Sequence, residues 1–357
     1  MAIRKLYSIL NPKMGQYGKY LLPLSFSDYN VKDVVINTRK KDYATVFDVS
    51  HMGIFEAPLN QVTTNYFSNL LNNNLNTLNN NKSRLSVLLN NKGNIIDDLI
   101  IGNINNEKFR LVVNANNKCY FDNLEHLKRN SNSIIAIQGP GSQKILENLF
   151  NIDLNNLYFM ENRIINKDIS LCRCGYTGED GFELYLNNMN NTATDTFFEL
   201  IKQSRTNNKI LFGGLIARDI LRLEAGLNLS GSEFDKDMNI NFGAINMNFL
   251  VHPIYRKKFN LNSEIKQFRF SSDKPIKKGI ISSYNKKVGF ITSSCKSFNL
   301  DKFIGIGYLK NTAFNSNDYI ELNDNYNIDI DINNNKDKKQ KLSIHTDSFI
   351  KTNYYKK

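Results

Sequence analysis

No stretch of this 357-residue chain approaches the roughly 20 consecutive apolar residues that a membrane-spanning helix requires. Its mean hydropathy of −0.42 agrees, so a transmembrane-helix reading fails. Tryptophan is absent, and cysteine and histidine are scarce, four of each. Cys119, Cys172, Cys174 and Cys295 form no C-x-x-C pair, and the histidines show no ligand spacing with them, so no metal is expected. The thiols read as reduced and mostly buried; Cys172 and Cys174 share a strand face as C-x-C, which leaves a redox-active pair as the alternative. No helix-turn-helix, zinc finger or RNA-binding aromatic signature accompanies the formal charge of +12, and no internal repeat is visible. Nucleic acid is therefore a weak second reading of that charge. A basic surface also draws acidic partners by long-range steering, and part of the charge is compositional in a chain rich in asparagine, isoleucine and lysine. At 41% hydrophobic and 11% aromatic residues, the chain can bury one large core or two to three smaller ones.

The segment Gly175-Tyr176-Thr177-Gly178-Glu179-Asp180-Gly181-Phe182-Glu183 carries a glycine at every third position. Such spacing suggests backbone freed for positive φ, with a ring and several acids on one compact loop. It lacks the tight first turn of a dinucleotide fingerprint and the Lys-Ser/Thr of a P-loop, so nucleotide phosphate is not indicated. Two readings stand: a strand-to-strand corner with solvated acids, or a loop that holds a ligand. Glu183 falls at the mouth of the alternating run that ends at Leu186. The run from Gly214 to Gly226 reads as a helix, with Ile216, Ile220, Leu223 and Leu227 on one stripe. Arg218 and Arg222 then lie opposite, either as a solvated face neutralised by Asp219 or as forks for a carboxylate ligand. Ile95–Ile101 reads as a strand whose alternation sends Asp97 and Asp98 to opposite faces, so whichever face is buried carries an acid. Phe109–Asn117 reads as a second strand ending in amides.

Taken in order, these pieces resemble the aminomethyltransferases, the T protein of the glycine cleavage system. The resemblance runs from LYSILNPKMGQYGKYLLPLSF through VFDVSHMG, NIIDDLII, LVVNAN, AIQGP, CGYTGEDGFEL and GLIARDILRLEAGL to VGFITSSCKSFNLDKFIGIGYL and KTNYY. It implies an α+β, three-domain, cloverleaf-like fold with tetrahydrofolate in a central opening. The implied reaction moves the aminomethyl carbon of lipoylated H protein to tetrahydrofolate, giving 5,10-methylenetetrahydrofolate, ammonia and dihydrolipoyl H protein. Matched position by position, Asp98 is the working acid, with Asp97 as fallback. Met52, Asn114, Tyr176, Glu183, Arg218 and Tyr354 are the folate-binding residues. The resemblance also implies tetrahydrofolate as co-substrate, lipoylated H protein as partner, and no metal, nucleic acid or membrane.

The same likeness places a discontinuous folate-binding domain at 1–52 and 138–245, a strand-rich α+β domain at 53–137 and a β-rich C-terminal domain at 250–357. Departures from the family pattern are Gly93-Asn94 and Leu85-Ser86 near a pocket wall, Ser230 and Ser232 after the helix, and Phe249 where the family has tryptophan. Asparagine clusters at 69–83 and 323–341 read as loops. Asparagine tracts of this kind, common in eukaryotic proteins of AT-rich genomes, suggest the mitochondrial matrix, although family-like sequence starts within a few residues of Met1 and no transit peptide is visible. A non-catalytic folate-binding protein of the same fold, of the iron-sulfur assembly or carrier-docking kind, is the alternative. The first of these carries a KGCYxGQE-type loop that GYTGEDGFE does not match.

Overall fold

A computed structural model describes residues 2–245, 247–259, 262–283, 286–311, 329–330, 342–345 and 347–357. The chain divides into two compact units, one of Met1–Ser86, Asp98–Leu221 and Thr352–Lys357, the other of Val87–Asp97 and Arg222–Lys351.

The first unit begins with a 3-10 helix at Ala2–Leu10 and a hairpin of β1 (Pro12–Tyr17) and β2 (Tyr20–Phe26). Helix α1 (Val31–Thr38) follows, its first turn capped by the Asn30 side chain, which accepts from the Lys32 amide. Next come β3 (Ala44–Asp48), β4 (Gly53–Pro58), α2 (Gln61–Leu70), β5 (Ser83–Leu89), β6 (Ile95–Ile104) and β7 (Lys108–Val113). Then follow α3 (Lys118–Asp122), β8 (Lys128–Asn130), β9 (Ser133–Gln138), α4 (Ser142–Phe150), β10 (Asn162–Asn166), β11 (Ile169–Cys172) and β12 (Gly181–Leu186). The run ends with α5 (Thr192–Thr206), β13 (Ile210–Phe212) and α6 (Leu215–Glu224), the end of β5, the start of β6 and the last residues of α6 being counted in the second unit.

Two sheets organise these elements, a six-stranded one ordered β10-β11-β12-β9-β3-β13 and a five-stranded one ordered β5-β6-β7-β4-β8. Strand β12 shows how alternation sets the site. Phe182, Leu184 and Leu186 enter a large hydrophobic core with Ile135, Ile137 and Leu171, so Glu183 and Tyr185 are carried on the other face. Strand β6 confirms the reading of Ile95–Ile101, and its burial alternates: Ile95, Asp97, Leu99 and Ile101 are buried, while Asp98 is half-buried. Asparagine tract 69–83 is more ordered than a loop. It contains the end of α2 and a 3-10 turn at Leu75–Thr77, and Asn72 and Asn81 adopt positive φ, which asparagine tolerates better than most residues. The tract at 323–341 lies outside the described residues except for Asp329–Ile330.

In the second unit α7 (Pro253–Arg256) precedes an antiparallel sheet of β14 (Ile265–Ser272), β15 (Gly279–Ser283), β16 (Lys286–Ser297), β17 (Lys302–Lys310), β18 (Asp329–Ile330) and β19 (Ser343–His345), ordered β18-β15-β16-β17-β14-β19. The chain is therefore α+β, with a β-rich C-terminal region. Phe268, Phe270, Ile281, Ile291 and Leu309 form the core of that sheet.

Helix α6 corrects the sequence reading at two positions. Its buried stripe runs through Ala217, Ile220, Leu221 and Glu224, leaving Ile216 exposed. Arg222 is neither solvated nor free for a ligand: it is 1% exposed and donates to Glu233 Oε2 at 2.9 Å, the Leu227 carbonyl at 3.0 Å and Ser293 Oγ at 2.8 Å. Glu233 in turn accepts from Thr292 Oγ1 at 2.9 Å and the Leu229 amide at 2.7 Å. A buried charge network of this kind is costly to break on one side only, because the surviving charge loses its partner. Glu233→Ala is therefore expected to lower unfolding free energy by about 3–5 kcal/mol, measured by urea denaturation. The double variant Arg222→Met/Glu233→Leu should lose less than the single one; a larger loss would contradict this account.

Candidate functional site

The turn from Cys174 to Glu183 wraps the side chain of Gln138. Gln138 Nε2 donates to the Cys174 carbonyl at 3.0 Å, and its Oε1 accepts from Thr177 Oγ1 at 3.1 Å. Only Gly178 among the three glycines has positive φ, +80°. Gly175 and Gly181 serve a different need: a Cβ would stand 1.7 Å from Gln138 Oε1 at Gly175 and 2.5 Å from Nε2 at Gly181. The solvated-corner reading fails, because the acids point inward to arginines. Glu179 pairs with Arg39 at 2.9 Å, and Asp180 accepts from Arg173 Nε at 2.9 Å. The C-terminal residues dock on this turn, the Asn353 amide donating to the Gly178 carbonyl at 2.7 Å and Asn353 Nδ2 to Glu179 Oε2 at 3.0 Å. Tyr354 stacks on Phe159 with ring centroids 4.4 Å apart, and burial pushes its hydroxyl pKa up to about 12.

Glu183 is 4% exposed. Tyr185 donates to its Oε2 at 3.4 Å, and Cys174 also hydrogen-bonds to it. Burial raises the Glu183 pKa above the ordinary value; nearby Arg218 and these hydrogen bonds oppose the rise without cancelling it. The Arg218 guanidinium lies over the Tyr176 ring, 4.5 Å from its centroid. Glu183, Arg218 and Tyr176 thus form one group, drawn from β12, α6 and the turn.

Strand register brings three further predicted residues to one end of the five-stranded sheet. Val113 pairs with Gly53 on one side and with Leu99 on the other. One residue beyond that row stand Met52, Asn114 and Asp98. Asn114 Nδ2 donates to Asp98 Oδ1 at 2.9 Å and to its carbonyl at 3.0 Å, which fixes one oxygen of the half-buried carboxylate. Asp97, the fallback, is fully buried on the opposite face and belongs to the second unit. Of the departures, Asn94 Nδ2 donates to Asn239 Oδ1 at 3.2 Å, Ser86 is buried in β5, and Phe249 is 71% exposed.

Sequence reasoning missed the residues that support this group. Asp48 shapes the loop carrying Met52: it accepts from the Ser50 amide at 2.8 Å and from the Tyr7 hydroxyl, and burial raises the pKa of both side chains. His51, in the same loop, is buried between Tyr17 and Tyr20. Lys118 Nζ donates to the His51 carbonyl at 2.8 Å and lies 4.7 Å from the Tyr20 ring centroid. Burial, with Arg218 and Lys118 nearby, lowers the His51 pKa to about 3, so the imidazole is neutral at physiological pH. The tyrosine spacing in MGQYGKY and the DVSHM run were the only signals, and neither names an imidazole environment. Among the described residues, no group of three or more histidine, cysteine or acidic side chains could hold a metal.

Comparisons with known proteins agree on one family. Residues 4–253 match the GCVT N-terminal domain. The chain is 30% identical over 338 residues to the aminomethyltransferase of Thermosipho melanesiensis, covering 88% of this chain and 89% of that one. It is 32% identical over 343 residues to the aminomethyltransferase of Anoxybacillus flavithermus, covering 88% and 90%. The crystal structure of glycine cleavage system aminomethyltransferase T from Bartonella henselae superposes with a TM-score of 0.85 at 25% identity, covering 100% of this chain and 99% of that one. Fold and relatives together define a transferase of aminomethyl groups. The chain belongs to the GCVT family, the aminomethyltransferases of the glycine cleavage system. The mitochondrial placement is corrected by the same comparison, since the matched aminomethyltransferases come from Thermosipho, Staphylococcus, Anoxybacillus and other bacteria. Asparagine enrichment follows the base composition of codons, which AT-rich bacterial and eukaryotic genomes share, and so carries no address.

The buried carboxyl of Glu183 gives a testable pH dependence. Since its folded-state pKa lies above the ordinary 4.5, the folded protein holds this proton more tightly than the unfolded chain. Stability contributed by the group is therefore present below that ordinary value and is lost as pH rises through the raised one. Unfolding free energy measured in urea from about pH 4.5 to about pH 8 should fall less steeply in Glu183→Gln than in the unsubstituted protein. Parallel slopes would refute the assignment.

Proposed function

We propose that this aminomethyltransferase moves the aminomethyl carbon from the dihydrolipoyl arm of H protein to tetrahydrofolate, yielding 5,10-methylenetetrahydrofolate, ammonia and dihydrolipoyl H protein. The observation that carries the reading is the juxtaposition at one sheet end of Asp98, Asn114 and Met52, together with the Glu183–Arg218–Tyr176 group in the same unit. Their chemistry fits a reduced pterin with an anionic tail. Glu183 presents a carboxyl inside a buried wall and takes hydrogen bonds from pterin N–H groups. Arg218, backed by the Tyr176 ring, meets the ligand's polar or anionic part. Met52 touches the ring system, Asn114 helps to seat the pterin, and Tyr354 closes the wall from the C-terminal segment.

Tetrahydrofolate supplies the ring nitrogen and the bridging nitrogen that form two new bonds to the thioaminal carbon. That carbon's C–N bond breaks to release ammonia and its C–S bond breaks to release the dihydrolipoyl thiol, the two folate N–H protons leaving on those two groups. Asp98 orients the folate and manages the proton near the bridging nitrogen, with its Oδ1 held by Asn114. Fixing both reactants in one geometry supplies much of the rate, because it replaces a three-component encounter. The domain reading follows the same likeness, with 1–52 and 138–245 as the folate-binding domain, 53–137 as the second and 250–357 as the third. A basic surface suits both polyglutamylated folate and an acidic lipoyl carrier.

The test is production of 5,10-methylenetetrahydrofolate from aminomethylated lipoyl H protein and tetrahydrofolate. Asp98→Ala is expected to reduce kcat by about 100-fold or more while folate binding, followed by calorimetry, stays largely intact. Arg218→Ala should instead weaken folate binding first, by about tenfold. Full activity in Asp98→Ala would move the role to Asp97 or end the assignment. Tight folate binding without turnover in the unsubstituted protein would favour the non-catalytic alternative.

A further inference from the structure

His51 is buried, 5% exposed, yet its Nδ1 has no hydrogen-bond partner. Buried polar atoms are ordinarily paired, because an unmade bond costs about 1–3 kcal/mol; an unpaired one beside a reaction site marks a place where something else binds. Two tyrosine rings fix the imidazole, Tyr17 edge-on at a centroid distance of 5.6 Å and Tyr20 tilted at 6.3 Å. Its ring cannot turn away freely. On the folate reading the chain neighbour Met52 touches the ligand, and the titratable or charged groups facing the ring are Tyr17, Tyr20, Lys118 and Arg218. Arg218 and Lys118 both act on the imidazole as nearby positive charges, and they favour an electron-rich ligand atom there.

On the folate reading given above, we propose that His51 is a further substrate-binding residue, its Nδ1–H donating a hydrogen bond to an oxygen of the bound folate. The oxygen belongs either to the pterin carbonyl or to the benzoylglutamate tail. A neutral imidazole suits this role better than a charged one beside two cations, because it offers the donor without adding a third like charge.

Calorimetry on the full-length protein tests the proposal with three variants. His51→Leu removes the donor and keeps an apolar body between the tyrosines. His51→Asn returns an amide near the place of Nδ1, whereas His51→Gln carries its amide further out, near the place of Nε2. Tetrahydrofolate should bind about tenfold more weakly to His51→Leu and His51→Gln, and His51→Asn should recover most of the loss, with thermal unfolding alike in all three. Repeating the titration with tetrahydropterin separates the two oxygens: an equal loss assigns the pterin carbonyl, and a loss seen only with tetrahydrofolate assigns the tail. Unchanged affinity in His51→Leu overturns the proposal alone. Equal weakening in all three variants with lowered unfolding temperature also overturns it, in favour of a packing role. Failure of the unsubstituted protein to bind tetrahydrofolate overturns the folate reading and this inference with it.

Discussion

The guanidinium of Arg39 donates to the carbonyl of Thr177 at 3.0 Å, to Glu179 at 2.9 Å and to the carbonyl of Leu221 at 3.1 Å. One side chain at the C-terminal end of α1 thereby joins the glycine-rich turn to helix α6, and through Glu179 to Asn353 of the C-terminal segment. These are charge-assisted bonds between largely buried groups, the kind whose loss leaves both a carboxylate and backbone carbonyls unpaired. The positions of Tyr176 on the turn and Arg218 on α6 both depend on that bond set. Arg173 performs the equivalent task one turn earlier, holding Asp180 and the carbonyl of Leu157 while its guanidinium faces the Tyr355 ring at 3.9 Å. Two of the turn's acids, Glu179 and Asp180, are thus held by arginines. Glu183, the third, is held chiefly by neutral groups.

Local pattern was enough to read β6, β7, β12 and α6 from the sequence, because each carries its period openly: alternation in Phe182–Leu186 and Ile95–Ile101, and a helical stripe through Ile220 and Leu223. The grouping of Met52, Asn114 and Asp98 was legible only through likeness to a family. Register decides it, and register depends on which strands pair, as Val113 does with Gly53 far back in the chain and with Leu99 across a nearer hairpin. Period alone could say that one of Asp97 and Asp98 would be buried. It could not say which, since both faces of the segment carry isoleucine.

The misreadings share a physical origin in partners distant along the chain. Arg222 looked available because its nearest acid in sequence, Asp219, is on the same helix; its Glu233 partner comes after a turn, and Ser293 lies on β16. Gly175 and Gly181 looked like positive-φ positions because spacing reports glycine but not the reason for it. The reason is Gln138, at the end of β9, whose side chain occupies the volume that a Cβ would need. His51 carried only the weak signals of MGQYGKY and DVSHM, because a lone histidine in a sequence is silent about the rings and cations that surround it.

Charge at the centre of this group follows from the competition between burial and Coulomb attraction. Arg218 lies close enough to lower the Glu183 pKa, yet burial wins and the carboxyl remains harder to ionise than usual. The same guanidinium, acting with burial and Lys118, makes the His51 imidazole harder to protonate. One cation therefore pushes the two titratable groups in opposite senses: towards ionised for the acid and towards neutral for the base. Burial pushes both towards neutral, and for His51 the two effects add. A wall assembled in this way offers directional hydrogen-bonding atoms beside fixed positive charge. That combination favours a ligand with a donor- and acceptor-bearing ring and an anionic extension over a compact polyanion, which would need several cations converging on one point and would meet the Glu183 carboxyl instead.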